Sequence, residues 1–259
     1  MREKDFDHLY DLEEKFWWFV GMRAITDVIV DREVRGRTLR ILDAGCGTGY
    51  NIRHYEQGGH SVFALDLAAE AITGVQKRGF RKVCQASITD IPYRSESFDV
   101  VFSFDVVQQV SAELAKQAIR EMYRVLKPGG HLYIRVAAFE WLRSSHDQEL
   151  QTVHRYTRRE LRARLEDAGF EALRHTYANT FLFPVVLLRR FVKTFGIGRG
   201  SDVKPLPTAL AWVDPLFRRS LSIEARVLSN GAAFPFGLSV ICYARRPERS
   251  GSIRKSPIE

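Results

Sequence analysis

Residues 39–49, Leu-Arg-Ile-Leu-Asp-Ala-Gly-Cys-Gly-Thr-Gly, constrain the fold of this 259-residue chain more than any other stretch. A short apolar run ends at Asp43, and glycines follow at alternate positions, Gly45, Gly47 and Gly49. An apolar run of that length halted by glycines reads as a buried parallel strand feeding a tight turn. Glycine lets the backbone take positive φ there and lets a ligand approach the main chain. A helix starting near Thr48–Asn51 then aims its first N–H groups at that ligand. The glycine spacing narrows what the ligand is. A dinucleotide-binding turn needs its third glycine three positions after the second. Here it falls two positions after, and Tyr50 stands where the dinucleotide turn needs a small residue.

Further strands follow at regular intervals. Ser61-Val-Phe-Ala-Leu-Asp66 ends on a carboxylate 17 residues beyond Gly49, placed to accept from both ribose hydroxyls of an adenosine. Lys82–Tyr93 is a short strand broken at Ile91-Pro92, and Ser97–Asp105 reads as a fourth strand. A helix over Ala112–Val125 leads through Leu126-Lys-Pro-Gly-Gly130 into a fifth strand, His131–Val136. Proline presets one position of that turn and the glycines relieve the others.

The Asp-x-Gly-x-Gly-x-Gly pattern of residues 43–49 resembles motif I of the class I S-adenosylmethionine-dependent methyltransferases, of the type 11 kind. Asp66, the 82–93 segment and the Leu-Lys-Pro-Gly-Gly turn resemble further motifs of that family, in the same order. The resemblance covers about residues 39–178 and 236–245. It implies an α/β, Rossmann-like seven-stranded sheet with helices on both faces and the last strand antiparallel. It also implies S-adenosylmethionine as cofactor, S-adenosylhomocysteine as product, and no metal. Asp43, Gly45, Cys46 and Gly47 would form the cradle, with Asp66 and Leu67 at the ribose. Ser87 and Ile88 would meet the adenine; Ser87 stands where the family usually has an Asp, and Asp90 is out of register. Phe104 and Gln109 would border the cofactor, Gln109 replacing a His that many relatives have.

Residues 5–30 read as one or two helices that contain Lys15-Phe-Trp-Trp-Phe-Val-Gly-Met-Arg23. Adjacent residues cannot share one helix face, so at least one of Trp17 and Trp18 covers something other than the core. The segment resembles the Trp-Trp-Phe-x-x-x-Arg arm of a methyltransferase group among glycan and small-molecule tailoring enzymes. That likeness implies an N-terminal arm (1–34) closing over cofactor and acceptor, with Trp18 and Arg23 at the cofactor and Trp17 at the acceptor. Arg23 would take the methionyl carboxylate, since a bidentate Arg–carboxylate pair is a strong contact. A second likeness to that group lies at Ser144-Ser-His-Asp147 and His154-Arg-Tyr-Thr157. It places Asp147, Arg155 and Tyr156 at the acceptor, with His146 or His154 as general base. Thr157 with Glu160 reads as a capping box opening a helix that stops at Gly169.

Phe170–Ala178 reads as the sixth strand, yet the next convincing strand, Phe236–Ala244, begins far downstream. The methyltransferase domain is thus expected over 35–245 with a helical insertion at about 179–235, including a helix near Thr208–Leu228. Residues 246–259 read as a polar, disordered tail.

Charge is unevenly placed. Residues 1–138 hold 19 Lys+Arg and 19 Asp+Glu, whereas 139–259 hold 20 and 12, so the whole net charge of +8 lies in the second part. A solvated basic surface, an anionic acceptor or acidic membrane headgroups all fit that excess. No nucleic-acid-binding signature accompanies it, so no nucleic-acid partner is expected. The three cysteines, Cys46, Cys84 and Cys242, make neither a disulfide framework nor a zinc pattern. With no apolar signal core at the N-terminus, a cytoplasmic protein is expected, with peripheral membrane contact open. The expected function is methyl transfer to a small-molecule, sugar or lipid-linked acceptor, at O or N. A SAM-binding module without turnover and a nicotinamide oxidoreductase stay open as alternatives; the latter would need glycine at position 50.

Overall fold

The computed structural model describes residue 13 and residues 16–34, 36–194 and 214–248. Seven strands form one sheet: β1 (Arg40–Ala44), β2 (Ser61–Asp66), β3 (Val83–Gln85), β4 (Phe98–Phe104), β5 (Leu126–Ala137), β6 (Glu171–Ala178) and β7 (Ser239–Arg245). Their order is β3-β2-β1-β4-β5-β7-β6, with β7 antiparallel to both neighbours. β1, β4 and β7 are largely buried on both faces, as a sheet covered by helices on two sides requires. Parallel pairing sets Asp43 level with Ala64 on one side and Phe102 on the other. The carboxyl ends of β1, β2 and β4 therefore open on one edge, where the strand order reverses, and ligands of open α/β sheets bind there. The fold class expected from the sequence is the one observed, including helices inserted between the last two strands.

The described helices are α1 (Trp17–Val34), α2 (Tyr50–Gln57), α3 (Ala69–Lys77), α4 (Ala112–Val125), α5 (Ser145–Glu149), α6 (Arg158–Asp167), α7 (Phe183–Thr194) and α8 (Asp214–Ser229). One face of the sheet is covered by α4 and α6. Ala115, Ala118, Ile119, Met122 and Val125 line one side of α4 at helical spacing and join the core there. The other face is covered by α1, α2 and α8, through residues such as Met22, Ile25, Tyr55, Leu221 and Leu228. The helix expected as an arm is thus a packed layer of the domain: its inner side belongs to the core.

The insertion is tied into the same layer. Glu224 of α8 is fully buried, and its two carboxylate oxygens accept from the backbone N–H groups of Asn179 and Phe181 at 2.8 Å each. Burial raises its pKa while those N–H groups pull it down. Pro184 sits in the first turn of α7, where its missing N–H costs nothing. Residues 208–213 of the helix expected at 208–228, and 249–259 of the expected tail, lie outside the described residues. The start of that tail is held. Arg246 Nη1 donates to the carbonyls of Tyr123, Arg124 and Leu126, and Nη2 to Glu96 at 2.9 Å. It thereby satisfies carbonyls at the C-terminus of α4.

α1 and α8 approach each other closely at Gly21. A Cβ there would lie 2.6 Å from Leu221 Cβ and 2.9 Å from its Cγ. Gly21→Ala is therefore expected to destabilise by about 1–3 kcal/mol through overpacking. Denaturant unfolding of the variant beside the parent measures this; equal midpoints would mean the helices do not pack this way.

Candidate functional site

The glycine turn is built on two contacts. Asp66, at the end of β2, accepts from the Gly47 N–H at 2.9 Å through one carboxylate oxygen and from the Ala68 N–H at 3.0 Å through the other. Gly47 has φ +54°, and nothing lies within 4 Å of where its Cβ would stand. Its side-chain position is open space, in which a ligand can approach the main chain. Gly49, at φ +83°, precedes α2, and a Cβ there would lie 2.8 Å from Val75 of α3.

Above this turn lies a cavity of about 640 Å³. Of the residues expected at a cofactor, Trp18, Arg23, Gly45, Cys46, Gly47, Asp66, Leu67, Ser87, Ile88, Phe104 and Gln109 line it. Arg23 stacks on the Tyr50 ring, 4.2 Å from its centroid, and no carboxylate among the described residues pairs with it. Ser87 accepts from the Thr89 N–H and shares a 2.7 Å hydrogen bond with its hydroxyl, which fixes Ser87 at the rim. Asp90 does not line the cavity.

Asp43 lies beneath the turn rather than on the cavity wall. It is fully buried, and neither carboxylate oxygen has a hydrogen-bond partner. Desolvation, followed by the charges of Asp66 and Glu13, raises its pKa to about 7, against a smaller opposing pull from Arg135. The same burial and carboxylates push the Cys46 thiol well above its ordinary value, so Cys46 remains a thiol rather than a nucleophile.

The acceptor-side expectations divide. Asp147 and Arg155 line the cavity and hold each other: Arg155 Nε and Nη2 donate to the two Asp147 oxygens at 2.7 and 3.2 Å, and Nη1 donates to the Ala138 carbonyl. That guanidinium is fully engaged. The structure does not bring His154 to the cavity; its Nε2 sits 2.8 Å from Glu160 Oε1, and its ring meets Tyr156 edge-on. Tyr156 is fully buried in the core. Trp17 packs edge-on against Phe217 of α8 at 5.0 Å, while Trp18 faces the cavity, so the two tryptophans do serve different surfaces. His146 falls within α5, and its side chain lies outside the described residues. Half of the expected capping box forms: the Thr157 hydroxyl accepts from the Glu160 N–H, but the Glu160 carboxylate goes to His154 and Arg164.

Sequence reading missed three residues. Glu13 lines the cavity, accepts from the Thr48 hydroxyl and pairs with Arg78 at 3.4 Å, tying the chain before α1 to the glycine turn. Gln108 is buried: its side chain accepts from the Ala137 N–H, and its carbonyl accepts from the Val153 and His154 N–H groups. It thereby anchors the segment that carries Arg155. Arg135, from β5, projects into the cavity with Nε 2.9 Å and Nη2 2.5 Å from one oxygen of Asp105. Trp18 and Phe104 flank its guanidinium at 4.9 and 5.1 Å. Asp105 itself stands at φ +61°, a conformation uncommon outside glycine. Among the described residues no group of His, Cys, Asp and Glu is arranged to hold a metal ion.

The profile of the family described as "Methyltransferase domain" matches residues 42–134. A malonyl-[acyl-carrier protein] O-methyltransferase of Salmonella typhimurium is 33% identical over 179 residues, covering 63% of this chain and 68% of that protein. The chain belongs to the S-adenosylmethionine-dependent methyltransferases. A second malonyl-[acyl-carrier protein] O-methyltransferase, of Enterobacter lignolyticus, is 35% identical over 134 residues, about half of each chain. Over six enzymes of that name, the chain spans 37–68% of their length. The 1,6-didemethyltoxoflavin-N1-methyltransferase of Burkholderia thailandensis, solved with S-adenosylhomocysteine, superposes with a TM-score of 0.55. It is 16% identical and covers 95% of this chain and 87% of that one, a likeness of fold. The family's cofactor is S-adenosylmethionine, and the residues of this methyltransferase fit it. Open space at Gly47, the Asp66 carboxylate at the end of β2 and Arg23, which pairs with no carboxylate among the described residues, all border the one cavity.

The buried Asp43 makes stability depend on pH. The folded chain keeps the Asp43 proton to about pH 7, whereas the ordinary value for release is 3.8. Its contribution is therefore full in acid and is lost as pH rises towards and through 7. Asp43→Asn is expected to flatten the fall in melting temperature over that window, measured as melts of both proteins across a pH series. Parallel curves for parent and variant would contradict a proton held at Asp43.

Proposed function

We propose that the chain transfers a methyl group from S-adenosylmethionine to a carboxylate oxygen of a small acceptor. The acceptor sits between α1 and the Asp147–Arg155 segment. The observation that carries this reading is Arg135. Its guanidinium is buried, oriented by Asp105 and held between two aromatic rings, and its Nη1 has no partner among the described residues. A preset guanidinium presented to a partly apolar cavity recognises a carboxylate strongly. Asp105 keeps the site close to neutral, so the acceptor is oriented without losing all its nucleophilicity.

The described lining also contains no histidine or lysine, and its Asp147 is engaged by Arg155. A hydroxyl acceptor would want a base near neutral pKa. A carboxylate arrives ionised at neutral pH and needs none. The malonyl-[acyl-carrier protein] O-methyltransferases fit this class, because a malonyl group ends in a carboxylate. When bound, S-adenosylmethionine supplies a methyl already activated by its sulfonium. The chain's part is then to align the acceptor and keep water out: Arg135 orients the carboxylate, while Trp18, Phe19 and Met22 of α1 wall the cavity. Arg23, Asp66, Ser87 and the glycine turn hold the cofactor in this reading.

The test is transfer of labelled methyl from S-adenosylmethionine to a malonyl thioester, with the product treated with alkali. Label released as methanol marks a methyl ester. Arg135→Gln is expected to lower kcat/KM by about a hundredfold, the scale of losing one buried charged contact. His154→Ala is expected to stay within about twofold of the parent, since its pairing with Glu160 is partly exposed. Alkali-stable label, or a His154 variant that is as inactive as the Arg135 variant, would overturn the carboxylate reading.

A further inference from the structure

α7 joins the cavity to the outside surface. Leu182, just before it, is buried and Val186 lines the cavity, whereas Val185 and Leu188, one turn apart, face outwards, Leu188 with 64% of its surface exposed. Two other segments bring aromatic rings to the same place. Trp141, in the 3₁₀ turn Glu140–Leu142, is also 64% exposed and meets the Phe183 ring edge-on at 6.0 Å. Phe236, from the chain entering β7, lies 5.3 Å from Phe183 on another side and is itself exposed. Exposed apolar residues from three stretches distant in sequence thus gather at α7: Trp141 and Phe236 beside Phe183 at its start, Val185 and Leu188 along its outer side.

Charge says what covers it. The α7 sequence, Phe-Pro-Val-Val-Leu-Leu-Arg-Arg-Phe-Val-Lys-Thr, has three cations and no acidic residue. A helix that combines exposed apolar residues with a sequence whose only charges are positive, near an exposed tryptophan, fits a membrane interface. We infer that the Trp141–Val185–Leu188–Phe236 face docks on a lipid surface bearing anionic headgroups. Apolar side chains enter the headgroup boundary, and the cationic α7 sequence favours a negative surface potential. Among the described residues no helix is long and apolar enough to cross a membrane, so the contact is peripheral. The inference stands whether or not the acceptor is a carboxylate.

The test is co-sedimentation of the full chain with phosphatidylcholine vesicles, with and without phosphatidylglycerol. Binding is expected only with phosphatidylglycerol and should weaken with added salt. The double variant Val185→Ser, Leu188→Ser should bind at least about tenfold more weakly, the scale of removing two partly buried apolar side chains. Trp141→Ser should weaken binding in the same direction. A cooperative thermal melt in each variant shows that the fold is kept. A folded parent that ignores phosphatidylglycerol vesicles, or a folded double variant that binds like the parent, would overturn the inference. So would a concentration-dependent dimer abolished by these substitutions without vesicle binding, because a second copy would then be the occupant.

Discussion

The hydrogen bond from the Gly47 N–H to Asp66 joins the turn after β1 to the end of β2, and the rest of the site is arranged around it. It holds the backbone so that the vacant Gly47 side-chain position faces open space, and the parallel register of β1, β2 and β4 brings the remaining walls to the same edge. The arrangement has an electrostatic cost. Asp43, Asp66 and Glu13 are close enough for the latter two to raise the Asp43 pKa. A cationic ligand placed near them relieves that repulsion.

The acceptor side is organised differently. Its charges are paired within the protein: Arg155 with Asp147, and Arg135 with Asp105. The pairs differ in what they leave available. Arg155 uses all three nitrogens on protein atoms, which makes it a brace for the chain between Ala138 and Tyr156. Arg135 uses two on a single oxygen, and the aromatic rings beside it preset its plane. Removing either partner of a buried pair leaves an uncompensated charge, so such pairs constrain geometry more than they add stability.

The sheet and the cofactor side were legible because their signals are local. The apolar run 39–42, the glycine spacing, the strand ending at Asp66 and the Lys127–Gly130 turn each report on their own neighbourhood in the chain. Arg135 was hidden because it reads as one alternating residue of a strand, and its meaning comes from Asp105, thirty residues away just past the end of the neighbouring strand. Gln108 was passed over for Gln109, since a one-residue difference in a 3₁₀ turn decides which side chain goes inwards. Glu13 lay in a stretch read for its tryptophans. His154 is a residue type suited to catalysis, but its Nε2 pairs with the Glu160 carboxylate six residues ahead and it does not line the cavity. The packing of helix 17–34 was hidden because Gly21, which lets α8 lie against it, meets Leu221 from far along the chain.

The central claim is that the glycine turn and Asp66 hold S-adenosylmethionine rather than a dinucleotide. Calorimetric titration of the purified chain with S-adenosylhomocysteine tests it most directly. Saturable binding at one site, displaced by S-adenosylmethionine, is expected, with no heat from NAD. A folded chain that takes up NAD, or that gives no heat with S-adenosylhomocysteine, would contradict it.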